Sequence, residues 1–210
     1  AYNHKKTDEL RFILDALNGS QDSFESAPKD YVENLFDQYA RHYEQHLTQM
    51  LKYPLPSHIE RCLHEHIPKG SKLNILDLGC GTGIIGKVSK HFAKSLIGVD
   101  LSNNMLDEAR KKHIYDELIQ GDCIDFLNDN NKYDCIIAAE LLPYIGNAQE
   151  LLTLITKSLR PGGIFLISFE TSKCNAFKLS DNARYSHNID WIKNTIKLIP
   201  QMSTCLVDES

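Results

Sequence analysis

The sequence predicts an α/β fold with a doubly wound, mostly parallel sheet that follows a leader of helices. From Leu73 onward, short apolar runs typical of buried strands alternate with amphipathic stretches typical of helices. Before that point the apolar residues recur only at helical spacing. The first apolar run ends in a turn with glycines at 79, 81 and 83. Because alternating strands and helices form parallel sheets with right-handed crossovers, we expect helices on both faces of the sheet.

Residues 1–70 form the predicted leader, and residues 71–210 form the predicted α/β domain. The leader contains three amphipathic stretches, which run from Thr7 to Leu17, from Lys29 to Lys52 and from Ser57 to Ile67. Tyr39 and Tyr43 lie on one side of the second stretch, which suggests a lid over the glycine turn. The alternative is that these tyrosines only pack in the interior.

Five strands are predicted in the α/β domain, over residues 73–78, 95–99, 118–120, 134–139 and 164–169. Helices are predicted from the glycine turn to Phe92, from Ser102 to Lys112 and from Ala148 to Leu159. Ser102 is a candidate N-cap. Ligands of such sheets bind at the carboxyl ends of the strands, near the point where the strand order switches.

Composition excludes several function classes. The chain has 28 Asp and Glu residues against 23 Lys and Arg, so no broad basic face predicts binding to nucleic acid or to an anionic membrane. No apolar run reaches the length of a membrane span. The six cysteines are scattered without a Cys-x-x-Cys pair, which predicts reduced thiols of a cytoplasmic protein rather than disulfides or a zinc site. The chain begins with Ala1, and we expect a fragment or a processed product.

Histidines at positions 58, 64 and 66 suggest a metal site only superficially. Two of them fall on a different part of the predicted helix from the third, and no carboxylate completes a ligand set. We therefore expect no metal.

Three aspartates end predicted strands or lie just beyond them. Asp77 precedes the glycine turn, Asp100 ends the second strand, and Asp122 follows the third. An acid about 20 residues after a glycine turn is placed to reach ribose hydroxyls, which predicts a ligand that contains a nucleoside. Asp122 is suited to accept from the exocyclic amine of adenine, with the amide of Cys123 at a ring nitrogen. The alternative is that such an acid caps a helix or a turn.

Two ligand classes compete for the glycine turn. Gly81 to Gly86 match the G-x-G-x-x-G pattern of dinucleotide sites. However, Asp77 would place negative charge close to a pyrophosphate, which prefers an uncharged helix N-terminus. S-adenosylmethionine has no phosphate and carries an ammonium and a sulfonium group, so Asp77 favours it. No Tyr-x-x-x-Lys pair and no second mononucleotide half follow the turn, which also disfavours a nicotinamide dinucleotide.

The motifs together resemble those of class I S-adenosylmethionine-dependent methyltransferases over about residues 72–170. They are Asp77-Leu-Gly-Cys-Gly-Thr-Gly83, Gly98-Val-Asp100-Leu-Ser-Asn-Asn-Met105-Leu, Gly121-Asp122, Tyr133-Asp134-Cys-Ile-Ile and Leu159-Arg-Pro-Gly-Gly163. The resemblance implies a Rossmann-like methyltransferase fold with S-adenosylmethionine as donor and S-adenosylhomocysteine as product.

The same resemblance assigns roles to individual residues. It implies that Asp77 and the backbone of Gly79 hold the methionyl end, and that Asp100 holds the ribose. It further implies that Met105 or Leu101 packs on adenine, whose edge Asp122 and Cys123 read. The remaining residues that we expect to contact the cofactor are Cys80, Gly81, Gly83, Glu140 and Tyr39.

A narrower resemblance covers the flanks. Residues 31–40, His46-Leu, the segment 138–146 and Arg184-Tyr-Ser-His187 are similar to bacterial methyltransferases whose catalytic domain follows tetratricopeptide repeats. The larger family ends in a sixth strand and an antiparallel seventh. Here residues 190–198 read as the preceding helix and 202–207 as strand six, so strand seven is expected to be absent or supplied differently.

The predicted function is therefore methyl transfer from S-adenosylmethionine to an unidentified acceptor, which we expect to be a small molecule. Candidates beside the transferred methyl group are Glu140, Tyr144, Arg184 and His187. His187 is a candidate base and Arg184 a candidate anchor for an acidic acceptor. The alternative is a purely structural Arg-Tyr-His turn. A non-catalytic binding module and, less favoured, a nicotinamide-dependent oxidoreductase are the competing functions; the oligomeric state is not readable from the sequence.

Overall fold

The computed structural model describes residues 2–19, 24–47, 54–129 and 131–197. Three helices form the leader: α1 (Tyr2–Asn18), α2 (Lys29–Gln45) and α3 (Leu55–His66). The predicted extension of α2 to Lys52 falls partly on residues 48–53, which lie outside the described residues. Helix α3 begins two residues earlier than predicted because Pro56 occupies its first turn, where a missing N–H costs no helical hydrogen bond.

Five parallel strands form the central sheet, and they confirm the predicted architecture. They are β1 (Leu73–Leu78), β2 (Ala93–Asp100), β3 (Glu117–Gln120), β4 (Tyr133–Ala138) and β5 (Leu159–Ile167). Their order is β3-β2-β1-β4-β5. The strand order therefore reverses between β1 and β4, which places the switch point beside the glycine turn.

Helices cover both faces of this sheet. They are α4 (Ile84–Ser89), α5 (Asn103–Arg110), α6 (Cys123–Leu127), α7 (Gln149–Ser158) and α8 (Ile189–Lys197). One buried cluster unites the sheet with α6, α7 and α8, and a second unites it with α3 and α4. The sequence did not predict α6, since five residues are too few to show helical periodicity. In the described part of the chain, no helix combines the length and the apolar character needed to cross a bilayer.

The region after β4 departs from the prediction in two respects. Strand β5 begins at Leu159, so the predicted loop Arg160–Gly163 lies inside the strand, where the pairing with β4 is irregular. A second sheet, which was not predicted, contains β6 (Glu170–Thr171), β7 (Phe177–Leu179) and β8 (Tyr185–His187) in the order β6-β8-β7. The predicted sixth strand, residues 202–207, lies outside the described residues.

The leader packs against this second sheet. Phe12 and Val32 belong to one buried cluster with Leu179 and Tyr185. The segment after α1 also pairs with the chain that follows β4: the Ala27 N–H donates to the Tyr144 carbonyl (2.9 Å), and the Asn147 N–H donates to the Glu25 carbonyl (2.7 Å). The leader is therefore fixed beside the carboxyl end of β4.

Candidate functional site

The turn after β1 requires glycine for its backbone conformation. Gly79, Gly81 and Gly83 have φ angles of 68°, 52° and 85°, in the left-handed region that side chains disfavour. The N–H groups of Gly79 and Cys80 donate to the carbonyl of Val99, which fixes the turn to β2. A Cβ atom at Gly81 would meet nothing within 4 Å, so the space on that side of the turn is open to a ligand.

Asp100 ties the end of β2 to the same turn. Its Oδ2 accepts from the Gly81 N–H at 2.8 Å, and its Oδ1 accepts from the Ser102 N–H at 2.9 Å. Burial raises the pKa of Asp100 to about 6, although both hydrogen bonds oppose this shift. Among the described basic side chains, none forms an ion pair with Asp100.

Asp77 lies behind the turn and has a partner that the sequence did not reveal. The side chain of Asp77 is buried (1% exposed), and the Tyr115 hydroxyl donates to its Oδ2 at 2.6 Å. Burial raises the pKa of Asp77 to about 7 against the opposing effect of this hydrogen bond. Tyr115 comes 38 residues later in the chain, after α5, and no motif marks it.

Asp122 is the N-cap of α6. Helix capping was the alternative to adenine binding that the sequence left open for this residue. Its Oδ1 accepts from the N–H groups of Ile124 (3.0 Å) and Asp125 (3.1 Å). Lys29 of α2 also approaches this oxygen at 3.3 Å. The neighbouring Cys123 is buried, and burial raises the pKa of its thiol. The leader therefore reaches the carboxyl end of β3.

The structure distinguishes between the two residues suggested for the adenine. Met105 is enclosed (1% exposed), so its side chain is not available to stack on a base. Leu101 is half-buried beside the aromatic cluster that contains Tyr144. The N–H of Met105 donates to the hydroxyl of Ser102, which confirms Ser102 as an N-cap.

A cleft of about 340 Å³, open to solvent, lies between the glycine turn, the end of β4 and the end of α2. Four of the predicted site residues line it: Gly79, Cys80, Gly81 and Glu140. The other lining residues, which were not among the predicted site residues, are Tyr43, Leu47, Thr82, Ile84, Ile85 and Ala139.

Tyr43, rather than Tyr39, provides the aromatic side chain of α2 at the cleft. The ring of Tyr39 instead packs edge-on against Tyr43 (5.4 Å between ring centroids) and against His46 (5.6 Å). The two tyrosines are four residues apart on one helical face, so periodicity could place the pair but could not choose between its members. Burial raises the pKa of Tyr43, which keeps its phenol neutral.

Three observations show that the turn fits S-adenosylmethionine. The hydroxyl of Thr82 is buried without a hydrogen-bond partner among the described residues, as expected of a group that a ligand satisfies. Space is open above Gly81. The buried Asp77 and the half-buried Asp100 lie beside the turn without a basic partner among the described side chains, which suits a ligand that carries positive charge.

Glu140, two residues after β4, has a strained backbone. Its φ angle is 58°, unusual for a side chain other than glycine, and its N–H donates to the Ser168 hydroxyl at 2.8 Å. Its Oε2 accepts from Arg184 Nη2 at 2.8 Å. Strain of this kind at a cleft marks a side chain whose direction is imposed by the surrounding structure.

Arg184 is held by acids and an aromatic ring. Its Nε donates to Glu170 Oε1 at 2.5 Å, its Nη1 donates to the Tyr144 hydroxyl at 3.3 Å, and its guanidinium carbon lies 5.6 Å from the centroid of the Tyr144 ring. The predicted pair of Arg184 and Tyr144 therefore joins Glu140 in one network.

His187 lies away from this network. Its ring is fully buried, and its Nε2 lies 2.9 Å from the carbonyl oxygens of both Ile145 and Gly146. Burial lowers the pKa of His187. Because the ring neither lines the cleft nor contacts solvent, the structure does not place it where a base would act, and its position agrees with the structural alternative.

Among the described residues, no group of three or more His, Cys, Asp or Glu side chains has the geometry to hold a metal ion. The five cysteines in the same ranges are free thiols.

Comparison with known proteins supports the resemblance. Residues 75–163 match the family model of a methyltransferase domain. The ubiquinone biosynthesis O-methyltransferase of Rickettsia akari is 28% identical over 102 residues, which cover 47% of this chain and 40% of that protein. The malonyl-[acyl-carrier protein] O-methyltransferase of Pectobacterium atrosepticum is 26% identical over 134 residues, which cover 64% of this chain and 51% of that protein. The chain thus spans about half the length, or less, of these relatives.

The fold has matches among solved structures. Magnesium protoporphyrin IX methyltransferase of Synechocystis PCC 6803 with bound S-adenosylmethionine gives a TM-score of 0.62 at 16% identity, over 80% of this chain and 83% of that one. At this identity the likeness establishes the fold, a Rossmann-like class I methyltransferase fold. The family match and the fold together support a class I S-adenosylmethionine-dependent methyltransferase with that cofactor, and they carry no information on tetratricopeptide repeats.

Proposed function

We propose that this chain is an S-adenosylmethionine-dependent methyltransferase that acts on a small-molecule acceptor. The observation that carries the proposal is the turn at the switch point, where open space above Gly81 adjoins the buried Asp77 and the half-buried Asp100, neither of which has a basic partner among the described side chains. A dinucleotide fits this turn poorly because its pyrophosphate would add negative charge beside Asp77 and Asp100.

The cofactor residues divide among four parts of the ligand. The glycine turn, Thr82 and Asp77 serve the methionyl end, and Asp100 at the end of β2 serves the ribose. Leu101 is the adenine contact, since Met105 is enclosed. Asp122, whose Oδ1 is engaged in capping α6, retains its second oxygen for the adenine edge together with the amide of Cys123.

When bound, the cofactor supplies a methyl group already activated by the sulfonium. The contribution of the protein is then alignment and exclusion of water, which can account for a large part of the rate enhancement. Tyr43 of α2 and Leu47, just after that helix, cover the cleft from one side, and Ala139 and Glu140 form the opposite wall. Glu140 is placed to accept a proton or a hydrogen bond from the acceptor.

The acceptor wall favours an uncharged nucleophile. Arg184, the predicted anchor for an acidic group, is already paired with Glu140 and Glu170, so the three side chains carry a net charge of about −1 in their ionised forms. An anionic acceptor would have to compete with these carboxylates. The two relatives described above are O-methyltransferases by name, which favours an oxygen acceptor.

We further propose that residues 1–70 act as a lid on the domain formed by the rest of the chain. Support comes from α2, where Asp37 Oδ1 accepts from the Ser102 hydroxyl at 2.5 Å and from the Asn104 N–H at 3.2 Å. Lys112 adds a second link, because it donates both to Glu44 of α2 and to the carbonyl of Thr82 in the glycine turn.

Calorimetry tests the proposal directly. The purified chain is titrated with S-adenosylmethionine, S-adenosylhomocysteine and NADH, beside an Asp100→Asn variant and an exposed control on α5, Asp107→Asn. We expect both sulfur ligands to bind the native chain and the control, with roughly 10- to 100-fold weaker binding by Asp100→Asn, from the loss of hydrogen bonds to a charged group. Binding of NADH alone would overturn the proposal.

A second arm separates an enzyme from a binding module. Labelled donor is incubated with a panel of hydroxyl and amine acceptors. Glu140→Gln should lower turnover much more than it lowers donor affinity. Donor binding without transfer to any acceptor would favour the non-catalytic module.

A further inference from the structure

We propose that Tyr115 is a positioning residue of the cofactor site, whose phenol holds the carboxylate of Asp77 charged and aligned behind the glycine turn. Affinity for a cationic cofactor would then depend on one hydrogen bond from a residue outside the motifs. This inference rests on the proposed function, since it concerns how the same site binds its donor.

The ring of Tyr115 packs closely against three glycines. A Cβ atom at Gly86 would lie 2.1 Å from the Tyr115 hydroxyl oxygen, and one at Gly83 or Gly98 would lie 2.9 Å from a ring carbon. The ring thus fills a slot that exists only because three positions around it lack a side chain. Gly86, the last glycine of the G-x-G-x-x-G pattern, leaves the space that this ring occupies.

The chain on either side of Tyr115 fixes its position. The next residue, Asp116, exchanges two hydrogen bonds with Leu96 of β2: its N–H donates to the Leu96 carbonyl at 2.9 Å, and its Oδ2 accepts from the Leu96 N–H at 2.7 Å. Tyr115 is therefore anchored to the sheet, and its hydroxyl reaches Asp77 at 2.6 Å from a fixed base.

Asp77 acts on the ligand from behind the turn. With 1% of its surface exposed, the side chain is shielded from bulk water, so a negative charge there is felt strongly by a cation on the other side of the turn. Protonation would remove that charge. Tyr115 opposes protonation because its hydroxyl donates to the ionised form.

Few of the groups that face Asp77 change their protonation state in the pH range of the test. Asp100 raises the pKa of Asp77 by repulsion, and the thiols of Cys80, Cys123 and Cys135 also lie within electrostatic reach. Burial raises the pKa of all three thiols and of Tyr115, so these groups stay neutral near pH 7. Only Asp77 and Asp100 among these groups titrate between pH 5 and 8.

The test compares donor affinity in the native chain and in Tyr115→Phe as a function of pH. Phenylalanine keeps the ring in its slot and removes only the hydroxyl. S-adenosylmethionine and S-adenosylhomocysteine are titrated from pH 6.0 to 8.5. For each ligand and at each pH, the dissociation constant of Tyr115→Phe is divided by that of the native chain. This ratio cancels the titration of the ligand amine and of Asp100, which both proteins share.

We expect the ratio to lie near 1 at the alkaline end and to rise to roughly 10- to 100-fold at the acid end, the range for a hydrogen bond to a charged group. A ratio that is constant with pH would show that Tyr115 only packs, and a ratio near 1 throughout would show that it is dispensable. Either result overturns the inference while donor binding by the native chain leaves the proposed function intact. Failure of the native chain to bind either ligand would overturn both.

Asp77→Asn provides the matched control. In this background the Tyr115→Phe change should produce no pH-dependent ratio, because no carboxylate remains to be held. If Tyr115→Phe does not fold, Asp77→Asn alone provides the test: its donor affinity should lose the part of the fall toward acid pH that is not due to Asp100, and an unchanged fall would overturn the inference.

Discussion

The two walls of the cleft differ in whether their carboxylates are paired with a basic side chain. On the cofactor side, the buried Asp77 and the half-buried Asp100 accept hydrogen bonds from hydroxyl and backbone donors, without a basic partner in the described part of the chain. On the acceptor side, Glu140 is paired with Arg184. Uncompensated buried charge costs folding free energy, and a cationic ligand relieves that cost on binding. A carboxylate that is already paired with an arginine gains less from an ionic ligand. The contrast indicates that charge selects the donor and that shape and hydrogen bonding select the acceptor.

The largest effect should come from removing one uncompensated acid. The pKa of Asp77 is about 7 in the folded chain and near 4 when unfolded, so the folded chain holds the proton more tightly. The favourable contribution of the neutral form is therefore present at low pH and is lost as the pH rises from about 4 to 7. Relative to the native chain, Asp77→Asn should gain roughly 3 kcal/mol of unfolding free energy between pH 5 and pH 8.

Urea unfolding at pH 5 and pH 8 measures this difference, with Asp107→Asn as the exposed control. If the relative stability of Asp77→Asn does not change with pH, the acid is compensated in the folded state. The contrast between the two walls would then fail.

A second change tests whether the cofactor side depends on its tight packing. Gly86→Ala places a methyl group against the enclosed ring of Tyr115, and overpacking of this kind costs about 1–3 kcal/mol. Gly121→Ala is the matched control, because a Cβ atom there meets nothing within 4 Å. Chemical denaturation of both variants gives the comparison. Equal stability of the two would show that the slot around Tyr115 is not closely filled.

The two walls also differ in how far the sequence predicted them. The glycine turn and Asp100 lie within 24 residues and act through backbone geometry, so their spacing alone reveals them. Tyr115 and Arg184 act through side-chain contacts with Asp77 and Glu140, at separations of 38 and 44 residues. A pattern in one sequence carries no signal for such pairs. The sheet was predictable for the same reason as the turn, whereas the short strands after β5 have too few residues for periodicity.

A third pair of variants examines the strained wall. Glu140 has a φ angle of 58°, which glycine adopts freely and alanine does not. Both Glu140→Gly and Glu140→Ala lose the ion pair with Arg184, so their difference isolates the backbone. We expect the glycine variant to be more stable by about 1 kcal/mol in thermal or urea unfolding. If alanine is at least as stable as glycine, the backbone of Glu140 is not strained.

The smallest effect should come from the contact between the lid and α5. Asp37→Asn weakens the hydrogen bonds to Ser102 and Asn104, with an expected loss of about 1 kcal/mol or less. Limited proteolysis should cut α2 faster in this variant, while the dissociation constant of the donor should change little. Asn34→Gln, at an exposed position of the same helix, is the comparison variant. Equal cleavage of the two would mean that Asp37 does not hold the lid.

The pairing of residues 24–27 with the chain after β4 links the leader to the acceptor wall. Tyr144, a member of the acceptor wall, accepts a backbone hydrogen bond from Ala27, and the ring of Phe36 in α2 packs edge-on against its ring. The pocket for the acceptor is therefore shaped by residues upstream of the first strand, whereas the donor turn is encoded within the domain. Under the proposed roles, changes in the leader should alter the acceptor pocket more than the donor turn.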